Sequence, residues 1–500
     1  MAAGFVVVVT AYWLGKAIYN LYFHPLAKFP GPRWAAASYL AEFYYDVLCG
    51  GQYFKKVIQM HERYGPLVRI NPHELSFDDP IFYDKVYAGG GHKREKDAGH
   101  AAMSGMFTAT ISTVDHDLHR QRRGYVANFF SKKSIHDLEP LIQKKVDILV
   151  ERLKEAYHSG QTLVGVLVFG SLAADIITHY AYGESFEELN KPGFPCELER
   201  GVKGLLLSLH ARRYFPAMGR FLSRLPKWVL ARMQPDVVVY VELDAKVEEY
   251  SKKALKKREA GDSSAKAQTL FDALVDPHIS APEKTIQRLK DESFLILFAG
   301  LDTTARFLTV MVCCMATYPN VLAKLRAELR SLTDTLESKP TWSQLEALPY
   351  LTAFINESLR FQCNFTGRFP RVPLEPLVYK DWVIPPRTTI GAIPHLLLNH
   401  PDIFPEPKTF RPERWLEAKA RGEYLDRYLI TFTKGSRACL GINLAYAELY
   451  LSVAALVQNF EMELVDSSIE NIIPYRDMGL AFDKEYNFGV NFKISKVLQG

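Results

Sequence analysis

One cysteine stands in a setting that suits metal chemistry, within residues 432–441, FTKGSRACLG. A thiolate ligand needs a tight turn whose backbone N–H groups point at the sulfur, and Gly435 and Gly441 provide the backbone freedom for such a turn. Arg437 adds a cation suited to the edge of an anionic cofactor. The spacing F-x-x-G-x-R-x-C-x-G thus predicts that Cys439 is a metal ligand; the alternative is an ordinary buried cysteine, which is usually inert.

The other five cysteines form no CxxC pair and no Cys/His cluster. Neither zinc nor an iron–sulfur cluster is therefore indicated, and so few cysteines in a chain of 500 residues suggest a reducing compartment.

An acid and an alcohol stand side by side in a long apolar segment, which we expect to be helical from about Thr285 to Thr317. Ala299 and Gly300 have almost no side chain, so a flat ligand can approach the backbone there. Thr303 can donate to a carbonyl one turn earlier and open the helix, and Asp302 next to it suits proton delivery. The alternative is a packing notch in a bent helix.

Two further patterns concern charge. Glu357 and Arg360 lie three residues apart and share a helix face, and Arg414 in the sequence F-R-P-E-R-W can join them in a buried network. Alone, such a pair is more typical of a solvated surface. His119 and Arg123 lie one helical turn apart in a basic stretch, for which a solvated face is again the alternative.

Together these motifs resemble the cytochrome P450 family, the haem-thiolate monooxygenases, and they occur in the order and approximate separations of that family. The resemblance covers the chain from His24 onward. It implies a mainly α fold with small β-sheets (α+β), built as one large domain. It also implies haem b as cofactor, with Cys439 as the iron ligand and with Asp302 and Thr303 as the residues that deliver protons during oxygen activation.

The same resemblance assigns the remaining residues. Glu357, Arg360 and Arg414 take a structural role behind the cysteine loop. By the same resemblance, His119 and Arg123 are expected to bind the haem propionates, with Arg371 and Arg437 as further candidates. Other cofactor-binding residues are Phe432, Gly435, Gly441, Ala299 and Gly300. Arg120 and Arg122, pointing elsewhere, are expected to present positive charge to an acidic electron donor.

The composition limits the classes of protein to which the chain can belong. With 48% hydrophobic and 23% charged residues the chain can bury a large core, and a net charge of +5 is too mild to indicate nucleic acid. Residues 1–22 are apolar and predict a membrane anchor, for which a buried core helix is the alternative. We assign residues 23–37 to a proline-rich hinge and residues 38–500 to the catalytic domain, which resembles the endoplasmic reticulum enzymes that face the cytosol.

No G-x-G-x-x-G motif marks a flavin or nicotinamide site, so electrons must come from a partner. The resemblance implies an NADPH-cytochrome P450 reductase, with cytochrome b5 as a second donor. Residues of the predicted substrate pocket are mostly small or apolar and suit a hydrophobic substrate, such as a terpenoid or polyketide of fungal secondary metabolism. They fall in residues 102–112, 205–215, 298–299, 364–369 and 478–482.

Two other classes stay open: a haem-thiolate isomerase that does not use O₂, and a non-catalytic haem-binding protein. One departure from the family pattern concerns Gln362-Cys363-Asn364, where a histidine and a proline usually follow Arg360 and the next residue. Without the proline, we expect a less rigid entry to the substrate-lining segment.

Overall fold

A computed structural model of the chain describes residues 2–215, 225, 228–229, 232, 235–259 and 269–498. Helices dominate it. The α-helices are α1 (Ala2–Tyr22), α2 (Arg33–Ala37), α3 (Leu40–Phe43), α4 (Tyr53–Tyr64), α5 (Tyr83–Val86), α6 (Ala98–Met103), α7 (His116–Val126), α8 (Lys132–Ser159), α9 (Gly165–Tyr182), α10 (Glu197–Leu207), α11 (Leu209–Tyr214), α12 (Pro235–Glu259), α13 (Leu270–Leu274), α14 (Ile286–Thr317), α15 (Pro319–Thr333), α16 (Trp342–Glu346), α17 (Pro349–Phe361), α18 (Pro394–Leu398), α19 (Glu413–Ala420) and α20 (Ile442–Asn459).

The strands are short and form small sheets around the helices. They are β1 (Leu67–Asn71), β2 (Glu74–Phe77), β3 (Arg94–Glu95), β4 (Leu163–Val164), β5 (Val372–Pro373), β6 (Leu377–Tyr379), β7 (Trp382–Ile384), β8 (Thr389–Gly391), β9 (Phe460–Leu464), β10 (Arg476–Asp477), β11 (Ala481–Phe482) and β12 (Asn491–Val497). Strand β2 pairs antiparallel with β1 and parallel with β8. Strand β12 pairs antiparallel with β4 and β9, and hairpins join β6 to β7 and β10 to β11. The mainly α fold with small sheets is confirmed.

Helix α14 begins and ends almost where the sequence predicts. The Thr285 hydroxyl caps it by accepting from the Arg288 N–H, and the helix ends at Thr317 before Pro319, which cannot continue it. A helix of 32 residues that is buried along most of its length needs a core on several sides. It is therefore the central helix of the fold, against which other helices and strands pack.

Helix α9 crosses α14 closely at two glycines. A Cβ atom at Gly165 would lie 2.7 Å from the Thr309 Cγ2 atom, and one at Gly300 would lie 3.0 Å from the Ile177 Cγ1 atom. Both contacts are closer than side chains normally allow, so glycine at these positions lets the two helices approach. The predicted packing notch in α14 is thus real on the side that faces α9.

Helix α1 is exposed, whereas the segment after it packs on the body. Among the described residues, three helices are long and apolar enough to span a membrane: residues 4–22 are 6% buried, whereas α9 and α14 are each 78% buried. The alternative of a buried core helix is therefore wrong for α1. In the predicted hinge, Leu26, Phe29 and Ala35 are buried, and the Arg69 N–H donates to the Pro30 carbonyl. The segment is not a free linker.

Candidate active site

The cysteine loop is closed on itself by its backbone. The Cys439 N–H donates to the Phe432 carbonyl oxygen (2.9 Å), which folds the intervening residues into a compact turn. Gly435 has φ +75°, and a Cβ atom there would lie 2.3 Å from the carbonyl oxygens of Tyr87 and Ala88. Only glycine fits this position, because both the left-handed dihedral and the close backbone exclude a side chain.

Cys439 is the one exposed cysteine of the six, yet protein surrounds its sulfur. Burial raises the pKa of the Cys439 thiol, while the Gly441 N–H and the Arg123 guanidinium lower it. A thiol that is enclosed by protein and still has accessible surface is expected on the wall of an internal cavity. Gly441 itself has an ordinary φ of −87° and nothing within 4 Å of an added Cβ, so the expectation that it supplies a special dihedral is wrong.

Four cations surround the buried His119 ring. Burial, together with the charges of Arg437, Lys96, Arg123 and Arg371, lowers the pKa of His119 to about 2. Burial lowers the pKa of Arg437 to about 10, and the pKa of Lys96 falls well below its usual range for the same reason. Arg371 and Arg437 are buried, and positive charges gathered beside a buried ring are unfavourable unless an anion joins them. The four predicted propionate partners thus lie together, and Lys96 was missed.

The two buried arginines of this cluster are already hydrogen-bonded to the backbone. Every guanidinium nitrogen of Arg437 donates to a carbonyl oxygen, among them those of Arg94 (3.2 Å) and Thr113 (2.6 Å). Arg371 donates to the Phe369 carbonyl (3.0 Å) and lies over the Tyr87 ring. These contacts hold the charges in place before any ligand arrives.

The predicted acid–base network behind the loop is completely buried. Glu357 accepts from Arg360 (2.8 and 2.9 Å), Arg414 (3.0 Å) and the Trp415 indole (3.0 Å). Every other guanidinium nitrogen of the two arginines donates to backbone carbonyls, which are those of Leu398, Pro405, Glu406, Pro407 and Thr409. Because the carboxylate bonds both guanidinium groups and each of their donors is used, these contacts offset much of the desolvation penalty of burying two cations with one anion.

The middle of α14 opens on one side. Ala299 is exposed and Thr303 is partly exposed, although the residues on either side of this stretch are buried. The Thr303 hydroxyl donates to the Ala299 carbonyl (2.7 Å), the back-bond that the sequence predicts. Asp302 does not join it. That carboxylate is 1% exposed and accepts from the Arg306 Nε atom (2.9 Å) one turn later on the same helix.

Three of the predicted pocket segments meet in one apolar cluster. Met478, Leu480 and Phe482 pack with Leu206 and Phe365. A cleft of about 490 Å³ beside this cluster is lined by Leu207, His210, Met478 and Tyr486 among others, and Cys439 and Thr303 do not line it.

The segment that lacks the family's proline is held by hydrogen bonds instead. Thr366 donates to Asp477 (3.1 Å), and the Asn364 carbonyl accepts from the Ala481 N–H (2.8 Å). Cys363, Asn364 and Thr366 are all buried completely. The expectation of a looser entry finds no support in this packing.

Arg122 does not have the role that the sequence predicts, which is to present positive charge to an electron donor. It donates twice to Glu283 (2.8 Å each) and once to the Thr113 hydroxyl (2.8 Å), so it does not present a free charge to a partner. Arg120 is exposed, as an interaction with a partner would require. The contact could not be read from local spacing because Arg122 and Glu283 lie 161 residues apart.

Comparison with known proteins now decides the family. The model for cytochrome P450 matches residues 30–487. The chain belongs to the cytochrome P450 family. It is 40% identical over 485 residues to conidiogenone synthase PchP450 of Penicillium rubens, covering 97% of each chain. It is also 39% identical over 497 residues to the cytochrome P450 monooxygenase aflU of Aspergillus parasiticus, covering 96% of this chain and 95% of that one.

A third relative is the cytochrome P450 monooxygenase TRI4 of Fusarium sporotrichioides, which is 38% identical over 462 residues, or 92% of this chain and 88% of that one. Membership makes this P450 a monooxygenase with a haem-thiolate cofactor, a small-molecule substrate and a redox partner that passes on electrons from NADPH. The apolar helix α1 is compatible with a membrane anchor.

The donor set of this P450 fits the cofactor. Cys439 would offer its thiol as the iron ligand, and the cations around His119 would offer the counter-charge that two propionates need. Ala299 offers a surface without a bulky side chain. Gly300 is different, because its missing side chain makes room for Ile177 of α9, which is the packing notch that the sequence offered as the alternative.

Proposed function

We propose that this P450 inserts one oxygen atom from O₂ into a hydrophobic small molecule of fungal secondary metabolism, with terpenoids or polyketides as the substrate class. The observation that carries the proposal is the opening at Ala299 and Thr303 in an otherwise buried helix. An isomerase or a haem carrier needs the cysteine loop but has no use for an alcohol at that opening. The name conidiogenone synthase, borne by a relative, supports this setting.

The chain's own residues divide the work. Cys439 holds the iron, and the cations around His119 hold the propionates. When bound, the haem-thiolate activates O₂, with one oxygen going to the substrate and the other leaving as water. This reaction consumes two electrons and two protons for each substrate molecule that is oxidised. Thr303 orders the protons at the opening in α14, and Asp302 lies next to it in sequence as the acid.

The substrate side is apolar. Met478, Leu480 and Phe482 meet Leu206 and Phe365, so hydrophobic burial provides most of the binding. We assign the nearby cleft of about 490 Å³ to substrate entry, since it lies between predicted pocket segments and does not include Cys439.

For the partners and the location, we propose an NADPH-cytochrome P450 reductase, with cytochrome b5 as a second donor, at the endoplasmic reticulum membrane. Residues 1–22 form the anchor, residues 23–37 its packed connection, and residues 38–500 the catalytic domain in the cytosol. Deletion of residues 2–22 should release much of the protein from microsomes. Two N-x-S/T sequences begin at Asn356 and Asn364, but both residues are buried, so neither should carry a glycan.

Co-expression with a reductase tests the reaction. The cells are supplied with fungal metabolite extracts, and products are scored for a mass gain of one oxygen atom, with ¹⁸O₂ identifying its source. Products that form without reductase or O₂ at an unchanged rate would instead favour the isomerase. Binding of haem without any turnover across extracts would favour the carrier.

A further inference from the structure

Arg306 is a buried arginine that joins the acid of α14 to the C-terminal hairpin formed by β10 and β11. Its Nε atom donates to the Asp302 Oδ1 atom (2.9 Å), and its Nη1 atom donates to the Ala481 carbonyl (2.5 Å). The guanidinium carbon lies 4.5 Å from the ring centre of Phe482 and 4.4 Å from that of Phe488. Arg306 is 1% exposed, so its orientation is fixed by these contacts rather than by water.

The same strand is connected to Thr303 by a second route, which ends at the backbone carbonyl of that residue. The Ala481 N–H donates to the Asn364 carbonyl (2.8 Å), and the Asn364 Nδ2 atom donates to the Thr303 carbonyl (3.4 Å). Asn364 belongs to the segment where this chain departs from the family pattern. The contacts therefore close a circuit that runs from Asp302 through Arg306, Ala481 and Asn364 to Thr303.

Two oxygens of this circuit point to a role beyond packing. Asp302 Oδ2 and Asn364 Oδ1 are buried and have no hydrogen-bond partner among the described residues. A buried acceptor without a donor is costly, so such atoms normally bind water or a ligand. We call the contacts from Asp302 through Arg306 to Ala481 the first arm, and those from Ala481 through Asn364 to Thr303 the second arm. The two arms hold the Asp302 carboxylate and the neighbouring backbone of α14 in place. Each arm also has one acceptor that is unused, Asp302 Oδ2 in the first and Asn364 Oδ1 in the second.

We propose that Arg306 and Asn364 are positioning residues, which set the acid and the alcohol of this P450 through the C-terminal hairpin. The inference rests on the proposed roles of Asp302 and Thr303 in proton delivery. Its physical reason is that a planar guanidinium bonds the carboxylate and the hairpin carbonyl at once, which a single ammonium cannot do in the same geometry. Movement of the hairpin would therefore move the acid.

Arg306→Lys tests the first arm. The charge remains but the fork is lost, so we expect product formed per NADPH to fall about three- to tenfold and hydrogen peroxide to rise, with the reduced carbon monoxide spectrum unchanged. Arg288→Lys is the matched control, because Arg288 is also buried on α14 and pairs with Glu292 four residues away. The control should keep the wild-type product yield.

A readout that does not depend on turnover is the thermal midpoint in a double-mutant cycle. Arg306→Gln leaves the Asp302 carboxylate buried without its cation, so the midpoint should fall. Adding Asp302→Asn should restore part of the loss, whereas independent residues would give a loss equal to the sum of the two. Additive losses would overturn the first arm.

Asn364→Ala tests the second arm against Asn459→Ala, which likewise removes an amide donor to a backbone carbonyl. We expect a loss of product per NADPH only for Asn364→Ala, about two- to fivefold for one positioning bond. If Arg306→Lys and Asn364→Ala match their controls while Thr303→Ala and Asp302→Asn lower the yield, the circuit has no positioning role. If none of the four lowers it, the proton route in the proposed function falls as well.

Discussion

The two sides of the site differ in how far their polar groups are satisfied. Around Glu357, every guanidinium nitrogen of Arg360 and Arg414 has an acceptor. In the middle of α14, Thr303 is partly exposed and Asp302 keeps one buried oxygen without a described partner. A fully paired network resists change, whereas unused polar atoms can bind and exchange protons. We therefore expect the first side to stay fixed and the second to take part in proton transfer.

Cys439→Ala should have the largest effect, because it removes the iron ligand itself from the rigid side. The reduced carbon monoxide complex should lose the red-shifted Soret band of thiolate ligation completely. Absorbance spectra of the purified variant measure this. Retention of the band would show that another group ligates the iron.

Glu357→Gln tests the rigidity of the same side. Loss of the carboxylate leaves two buried guanidinium groups without their anion, at a cost of about 3–5 kcal/mol in unfolding free energy. We expect little haem-loaded protein to accumulate, as measured by the Soret-to-protein absorbance ratio. Glu413→Gln is the control, since Glu413 pairs with the exposed Lys324 and should cost ~1 kcal/mol or less.

Thr303→Ala tests the other side. Spectra and folding should survive, while product per NADPH falls roughly ten- to a thousandfold and hydrogen peroxide rises, because one proton-delivery group is gone. Thr309→Ala is the control: its hydroxyl makes the same back-bond, to Ala305 (2.8 Å), but faces α9. Equal yields in the two variants would place the proton route elsewhere.

Glu448→Gln should have the smallest effect, because Glu448 on α20 belongs neither to the Glu357 network nor to the opening at Ala299 and Thr303. Burial raises the pKa of Glu448 well above its usual range, although the Thr304 hydroxyl lowers it in part. A raised folded-state pKa means that stability falls as pH rises above about 4, where the unfolded carboxyl ionises. The variant should lose this dependence between pH 4 and 8, and with it the infrared band of a neutral carboxyl group. A wild-type protein without that band would contradict the assignment.

Local chemistry could be predicted from the sequence, and long-range pairing could not. The bounds of α14 and the Thr303 back-bond follow from capping, periodicity and spacing within a few residues. The partner of Asp302 was missed although Arg306 stands only four residues later, since the resemblance had already assigned the acid a proton-delivery role. Lys96 was missed and Arg122 was given the wrong role for another reason: their partners, the Ile111 carbonyl and Glu283, lie 15 and 161 residues away, beyond the spacing of one helical turn.

The contacts of the cysteine loop also set the order of events during synthesis. Arg123 meets the Ala438 carbonyl across 315 residues, and Arg437 meets Thr113 across 324. Helix α1 leaves the ribosome at the start of translation, but these contacts wait until the chain is nearly finished. Long-range contacts of this kind form late because they must close large loops first. A haem held by Cys439 would thus be captured late in synthesis, and a chain that stops before residue 439 would lack the proposed iron ligand.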